Sequence, residues 1–547
     1  MEGSRSSYII RTSVSIAAGL LRVAASLAFV WVSKALVDAA TGTAAAAAAA
    51  ATGTGTAADS PFGRLVCLMA AVMLLQVLLG SFASYWENLN ITKTTITLRR
   101  KAFERVLRST WQGRERYASG DVTSRLHEDV RVVVDLLCTR IPDIVITLCQ
   151  LTAASIYLMT MEPGLVWLLV GFMAVAVVGS KMFFRTLRRL TDHIRRSEAQ
   201  AQQHIQESAL GRILVLTLFG VEKVLEKLDI VQKDILDTSV KRLNYNAVAR
   251  TFMSLGFAAG YAAAFFWGVF GIRDGSVTYG MMTAFLQLVG QVQRPVADLG
   301  RHIPAIIRSL TSRRRLKEIL EMPQEEAAEP LMLEAAPSIR LAHLGFAYED
   351  RRPIIRDLSF EFPAGKFTAV AGPTGQGKST LIRLLMSVLS PSEGTVTLCC
   401  GGREIPASSA TRCNFMYVPQ GNTLVSGTIR ENLLMVAPGA SDAQMREALH
   451  TAAADFVFEL PEGLDTVCGE VGSGLSEGQA QRISIARALL HPGTVLILDE
   501  ATSALDEATE QILLERLADS CRERRTVIFV SHRGTVFNRA DKILSLE

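Results

Sequence analysis

Gly372-Pro373-Thr374-Gly375-Gln376-Gly377-Lys378-Ser379 puts three glycines, a lysine and a serine into eight residues. The preceding residues 367–371, FTAVA, are apolar and partly β-branched, as a buried strand should be. Thr380 opens the following run, TLIRLLM, which has helical composition. A strand, a glycine loop and a helix in that order form a phosphate-binding site. The glycines let backbone N–H groups wrap the phosphates. Lys378 then reaches the outer phosphates, and the Ser379 hydroxyl can hold Mg²⁺.

A second acidic feature lies downstream. Residues 494–498, TVLIL, read as an apolar strand that ends in Asp499 and Glu500. A strand ending in aspartate is where a P-loop ATPase holds its Mg²⁺, and Glu500 is placed to polarise an attacking water. ATP and Mg²⁺ are therefore the expected substrate and cofactor.

These residues need elements to carry them, and the chain is long enough for more than one domain: 547 residues, 49% of them hydrophobic. Six apolar runs in the first 310 residues have the length to cross a bilayer: 15–37, 62–85, 144–161, 165–183, 251–272 and 279–299. The run from Val14 is too long for the core of a secretory signal and reads as a retained membrane helix. Lys and Arg cluster after the second span (Lys93, Arg99, Arg100, Lys101, Arg105, Arg108) and after the fourth (Arg185, Arg188, Arg189, Arg195, Arg196). Both segments, and both ends of the membrane domain, are thus expected in the cytoplasm. Their helix-forming composition predicts that the spans continue far past the membrane, turning near residues 111–119 and 208–219. The external tract 41–58 is almost all Ala, Gly and Thr and reads as a low-complexity connection.

Residues 321–337 are acidic and proline-bearing and read as a linker. The net charge of +4 is too small on this length to suggest a nucleic-acid partner. Eight cysteines show no pairing or metal-ligand spacing, so free thiols are expected.

The pentapeptide Leu475-Ser476-Glu477-Gly478-Gln479 resembles the signature motif of ATP-binding cassette (ABC) transporters. Other motifs agree in order and spacing. Tyr348 matches the aromatic that stacks on adenine, Gln420 the Q-loop and Gly469-Glu470-Val471-Gly472 the X-loop of the exporter branch. Ser503-Ala504-Leu505-Asp506 matches the D-loop and His532 the switch histidine. In the membrane half, Ser119-Gly120-Asp121-Val122 with Arg125 and Asp129 is similar to the first cytoplasmic segment of that branch. The resemblance covers essentially the whole chain. It implies a multi-domain fold: an all-α polytopic membrane domain of six long helices (1–320), the linker (321–337), and an α/β P-loop ATPase cassette with a helical subdomain (338–547). It further implies catalysis by Glu500, His532 and Gln420, and Mg²⁺ held by Ser379, Gln420 and Asp499. The signature would complete the nucleotide site of a second cassette, so a dimer is implied, either with a second copy or with a related half-transporter. Glu477 stands where the usual signature has glycine. A carboxylate facing the γ-phosphate would repel it; one facing away leaves Ser476 and Gly478 to do the work.

Polar residues inside spans point to a transport path. Arg22, Gln76 and the set Gln287, Gln291 and Arg294 are the candidates, the last three sharing one helical face. Two arginines would suit an anionic amphiphile, but they could equally snorkel at the boundary or pair with Asp38 or Asp298. The expected function is an ATP-driven exporter or flippase, multi-pass in a membrane of the bacterial inner type, moving an amphiphile, lipid, drug or peptide. An ATP-gated channel or regulatory membrane ATPase is the competing reading.

Overall fold

The computed structural model describes residues 2–47, 61–111, 119–218, 220–326, 328–348, 353–373, 375–469 and 474–546. Contacts divide the chain into two compact units, 1–103 with 120–318, and 104–119 with 319–547.

The first unit is helical. Helices α1 (Glu2–Ala47), α2 (Pro61–Leu107), α3 (Ile141–Met161), α4 (Pro163–Met182), α5 (Phe184–Leu210), a short α6 (Arg212–Thr217), α7 (Val221–Arg273) and α8 (Tyr279–Leu320) follow in order. Among the described residues three helices are long and apolar enough to cross a membrane: Tyr8–Thr41, Phe62–Leu107 and Val221–Arg273. The other three expected spans fall on α3, α4 and α8. Helix α7 has 53 residues, about 80 Å at 1.5 Å per residue, against a hydrocarbon layer of about 30 Å. Much of it must therefore stand outside the bilayer. Extended Glu162, the residue before Pro163, separates α3 from α4, as the proline's restriction on its predecessor requires. Most of tract 41–58 lies outside the described residues; α1 runs into its alanines as far as Ala47.

The core of this unit joins α1, α3, α4, α7 and α8 through Val30, Ala154, Leu158, Val166, Ala264, Phe285 and Leu288. Residues 119–140 are helical, with π-helical turns at Arg125–Asp129 and Leu136–Arg140. Buried Arg125 donates to Asp121 at 2.9 Å and to Glu318 at 2.7 Å. Arg315 bonds Asp121 at 2.9 Å and approaches buried Asp129 at 3.6 Å. The similar residues of the first cytoplasmic segment are thus gathered into one ion-pair network with the end of α8.

In the second unit, strands β1 (Ser338–Phe346), β2 (Ile355–Phe362), β4 (Glu393–Cys400) and β5 (Arg403–Pro406) form an antiparallel sheet in the order β2-β1-β4-β5. Strands β3 (Phe367–Ala371), β6 (Phe415–Val418), β9 (Val495–Asp499), β10 (Thr526–Val530) and β11 (Lys542–Ser545) form a parallel sheet in the order β11-β3-β10-β9-β6. Every residue of β9 and β10 is buried, which is why both read as continuous apolar runs. Helix α9 (Lys378–Leu385) follows β3, and α10 (Ile429–Leu434) and α11 (Asp442–Thr451) form the helical part with the two-residue strands β7 (Gly427–Thr428) and β8 (Val467–Cys468). Helix α12 (Glu477–Leu490) leads to β9, α13 (Glu507–Cys521) follows it, and α14 (Gly534–Arg539) follows β10.

The linker is pinned to this unit. Arg412 grips Glu325 with both terminal nitrogens, at 2.7 and 3.3 Å. The Asn414 amide bonds the backbone of Leu331 and Leu333. The tip 104–111 joins it too: Thr110 N–H donates to Pro323 O at 3.0 Å, and the Trp111 ring lies 4.5 Å from the Arg383 guanidinium.

Candidate nucleotide site

Four loops that carry the expected site residues leave the carboxyl ends of four parallel strands. Val530 of β10 pairs with Asp499 of β9 and Val370 of β3, and Val418 of β6 pairs with Leu498. The register aligns the strand ends, so Gly372, Gln420, Glu500 and His532 all emerge at one edge of the sheet. In open α/β sheets that edge is where ligands bind.

The loop after β3 enters α9 through Gly377, whose φ of 88° is left-handed. A Cβ there would also lie 2.5 Å from the Ile354 side chain. Both facts call for glycine. The N-terminus of α9 then points backbone N–H groups at the loop, a ready site for phosphate. Thr374 lies outside the described residues, as do Glu470, Val471 and Gly472 of the X-loop. Ser379 is exposed and Thr380 buried.

Lys378 is 7% exposed. Its Nζ donates to Gly372 O at 2.6 Å and to His532 Nε2 at 2.6 Å. An ammonium has no acceptor, so the imidazole accepts at Nε2 and carries its proton on Nδ1. His532 Nε2 also lies 3.4 Å from Glu500 Oε1. The other oxygen, Oε2, accepts from Gln420 Nε2 at 2.6 Å. Lys378 with His532 and Glu500 with Gln420 are thus two hydrogen-bonded pairs, which meet where His532 Nε2 faces Glu500 Oε1.

Glu500 holds a φ of 49°, a conformation that costs a non-glycine residue about 1–3 kcal/mol. Its N–H is fixed to Val530 O at 2.9 Å. The strained turn swings the carboxylate away from the strand direction and toward Gln420 and His532.

Asp499 is buried, and that burial, with Glu500 beside it, pushes its carboxyl above the usual range; a hydrogen bond from Tyr417 opposes the shift. Tyr417 Oη donates to Asp499 Oδ2 at 3.1 Å. Burial and the neighbouring carboxylate push the Tyr417 phenol up in turn. Sequence reasoning passed over this tyrosine, although a polar aromatic three residues before Gln420 in a buried strand is a usable signal. Among the described residues no three His, Cys, Asp or Glu side chains are placed to hold a metal ion by themselves. A donor set of one carboxylate, one hydroxyl and one amide suits Mg²⁺, which binds through few protein ligands and completes its shell with phosphate and water.

Tyr348 is half-buried, its hydroxyl 3.4 Å from Thr380 Oγ1 and accepting from Arg383 Nη1 at 3.0 Å. The ring meets Phe346 edge-on. Arg383 thus touches both Tyr348 and Trp111, a link the sequence did not announce.

The signature begins α12. Ser476 is the N-cap: its hydroxyl accepts from Gln479 N at 3.2 Å, and the Gln479 side chain accepts from Ser476 N at 2.9 Å. Leu475 is half-buried and packs on the core. Glu477 is exposed in the first turn, where a carboxylate favours the helix dipole. Gly478 is buried, and a Cβ on it would lie 2.8 Å from Ala504 O and 3.2 Å from Leu505. Asp506 caps α13 by accepting from Thr509 N at 3.0 Å. Gly478→Ala should therefore push the D-loop aside, at about 1–3 kcal/mol. Thermal unfolding and ATP hydrolysis of that variant check this; wild-type values in both would refute the packing reading.

In the helical unit Gln76 donates to Ala25 O at 2.9 Å, and Gln287 donates to Ser33 Oγ at 3.1 Å. Both tie their helices to α1. Gln291 Oε1 is buried and has no partner among the described residues. Arg22 is exposed. The Arg294 side chain lies outside the described set.

A P-loop ATPase domain joined to a helical membrane domain is the class that this fold and site define. Comparison with known proteins agrees. Residues 12–296 match the family model described as ABC transporter transmembrane region, and residues 355–503 the one described as ABC transporter. An uncharacterized ABC transporter ATP-binding protein of Sinorhizobium fredii is 31% identical over 480 residues, 85% of this chain and 80% of the relative. A fatty acid ABC transporter ATP-binding/permease protein of Mycobacterium bovis is 28% identical over 467 residues, 84% and 73% of the two chains. A solved bacterial Atm1-family ABC exporter with ATP bound has a TM-score of 0.78 at 28% identity, over 98% of this chain and 93% of that one. The chain belongs to the ABC transporter family, as an exporter-type half-transporter and an integral membrane protein whose cassette binds ATP.

Proposed function

We propose that the chain is an ATP-driven exporter or flippase that works as a dimer of two copies. The observation that carries this reading is the cluster of Lys378, His532, Glu500 and Gln420, whose neighbouring side-chain atoms lie 2.6, 3.4 and 2.6 Å apart. Every member is of active type, so the chain supplies a complete set of hydrolytic groups.

Ser379, Asp499 and Gln420 would hold Mg²⁺. When bound, that ion neutralises charge on the phosphates and orients the terminal one for in-line attack. Lys378 contacts the outer phosphates from the floor of the loop. Glu500 orients and polarises the attacking water, fixed by its strained turn and by Gln420. His532 Nε2 stands between Glu500 and Lys378, where it can donate a hydrogen bond to the terminal phosphoryl oxygens once the Lys378 ammonium turns to the phosphates and Nε2 takes the ring proton. Tyr348 offers its ring to adenine.

Two features support a partner cassette. Ser476 and Glu477 are exposed, so the end of α12 is free to face a second nucleotide. Around α6, Leu210 is 82% exposed, Ile213 80% and Leu218 70%. An apolar tip at the end of a basic, polar cytoplasmic helix calls for a partner surface. A membrane of the bacterial inner type, with the cassette in the cytoplasm, fits the basic segments. An anionic amphiphile, such as a lipid or fatty acid, is the substrate class favoured by Arg22 and by the Mycobacterium bovis relative.

ATP hydrolysis by the purified chain alone in lipid nanodiscs tests the reading. Turnover that Glu500→Gln abolishes supports a self-sufficient homodimer. Turnover that appears only with a second, different half-transporter would overturn it in favour of a heterodimer. Ion current without vectorial transport would favour the channel.

A further inference from the structure

Glu510 is 1% exposed, and nothing in the hydrolytic scheme uses it. It lies one turn into α13, directly after the D-loop. Its Oε2 accepts from Thr535 Oγ1 at 2.7 Å and from Arg533 Nη1 at 3.3 Å. Its Oε1 is buried and accepts no hydrogen bond from the described residues. A buried carboxylate is costly and is kept in place by its partners.

Arg533 directly follows His532. Its second terminal nitrogen, Nη2, donates to Ser503 O at 2.8 Å, and its backbone N–H donates to Ser531 Oγ at 3.0 Å. Ser503 has two further attachments. Its N–H donates to Glu500 O at 3.1 Å, and its hydroxyl accepts from Gln481 Nε2 at 3.4 Å. Gln481 is fully buried in α12, the signature helix. One residue, Ser503, therefore touches the turn of Glu500, the signature helix and the loop of His532.

From this geometry we propose that Arg533 and Glu510 are a positioning pair that sets the switch histidine according to the position of the D-loop. The fork of the guanidinium spans two acceptors on different segments, Glu510 on α13 and the Ser503 carbonyl. Moving the D-loop must move one tine of that fork. The adjacent His532, whose side chain is 46% exposed and not itself enclosed, moves with it. Anything that shifts residues 503–506, such as a second copy docking on the signature face, is thereby read at His532. Neither residue touches nucleotide; both act through the loop they hold. This rests on the assignment of His532 and Glu500 to hydrolysis.

The test uses the full-length chain in nanodiscs with Arg533→Lys, Glu510→Gln, the double variant, and His532→Ala as a control. Lysine keeps the positive charge, but its compact ammonium lacks the planar fork whose two tines reach acceptors on different segments. Arg533→Lys should lower kcat about tenfold or more, with ATP affinity and Tm unchanged. Glu510→Gln should do the same. The double variant should be no slower than the slower single, because both break one device. Wild-type kcat in Arg533→Lys would overturn the pairing, as would losses that multiply in the double variant. A loss that follows Tm would reduce the pair to a structural ion pair. Full turnover in His532→Ala would sink the underlying hydrolytic assignment instead, whatever Arg533 does.

Discussion

Glu500→Gln should bind ATP as the wild type does and lose about 10²- to 10⁴-fold in turnover, the range removed with a positioned general base. The substitution is nearly isosteric. The new amide keeps an oxygen for Gln420, and the positive φ at this position is no worse for glutamine than for glutamate. Binding relies on Lys378, the P-loop backbone and Tyr348, none of which changes. What disappears is the carboxylate charge facing His532 at 3.4 Å. Single-turnover hydrolysis beside nucleotide titration separates the two effects. Wild-type hydrolysis in this variant would remove Glu500 from the water-polarising role.

Lys378→Ala should show the opposite pattern, with loss of affinity first. A charge-assisted hydrogen bond contributes about 1.5–3 kcal/mol, so removing the ammonium should weaken nucleotide binding about 10- to 100-fold. The residue is buried, and its removal leaves Gly372 O and His532 Nε2 without their donor. Fluorescent-nucleotide titration measures the change, and thermal unfolding checks that the loop still folds. Affinity unchanged in a folded variant would reject Lys378 as a phosphate ligand.

How much of this was legible in the sequence follows from how each interaction is encoded. The P-loop is contiguous, so its type, order and flanking strand and helix could be read directly. Strands β3 and β9 were visible as apolar runs because they are buried on both faces. Helices α2 and α7 could be seen to outlast the membrane from their helix-forming composition. The ties that aim the site were another matter. Tyr417 meets Asp499 across 82 residues, and Arg533 meets Ser503 across 30. No local pattern reports such pairs. The reason for Gly478 was hidden too: it is a close approach to Ala504, not a backbone conformation. The π-helical turns at 125–129 and 136–140 follow from no period in the sequence. Arg125 and Asp129 were flagged only by similarity, and the structure supplies their partners.

The start of α8 lies against α1 with almost nothing between the two backbones. Gly280 N–H donates to Asp38 Oδ1 at 2.9 Å, and any Cβ on Gly280 would collide with Lys34 O. Two turns further on, Gln287 bonds Ser33. Surfaces that meet this closely have no long rotamers with which to slip past each other. These two helices must travel as a single rigid rod at this end. Whatever rearrangement a transport cycle demands has to open elsewhere, along seams lined by larger and more compliant side chains.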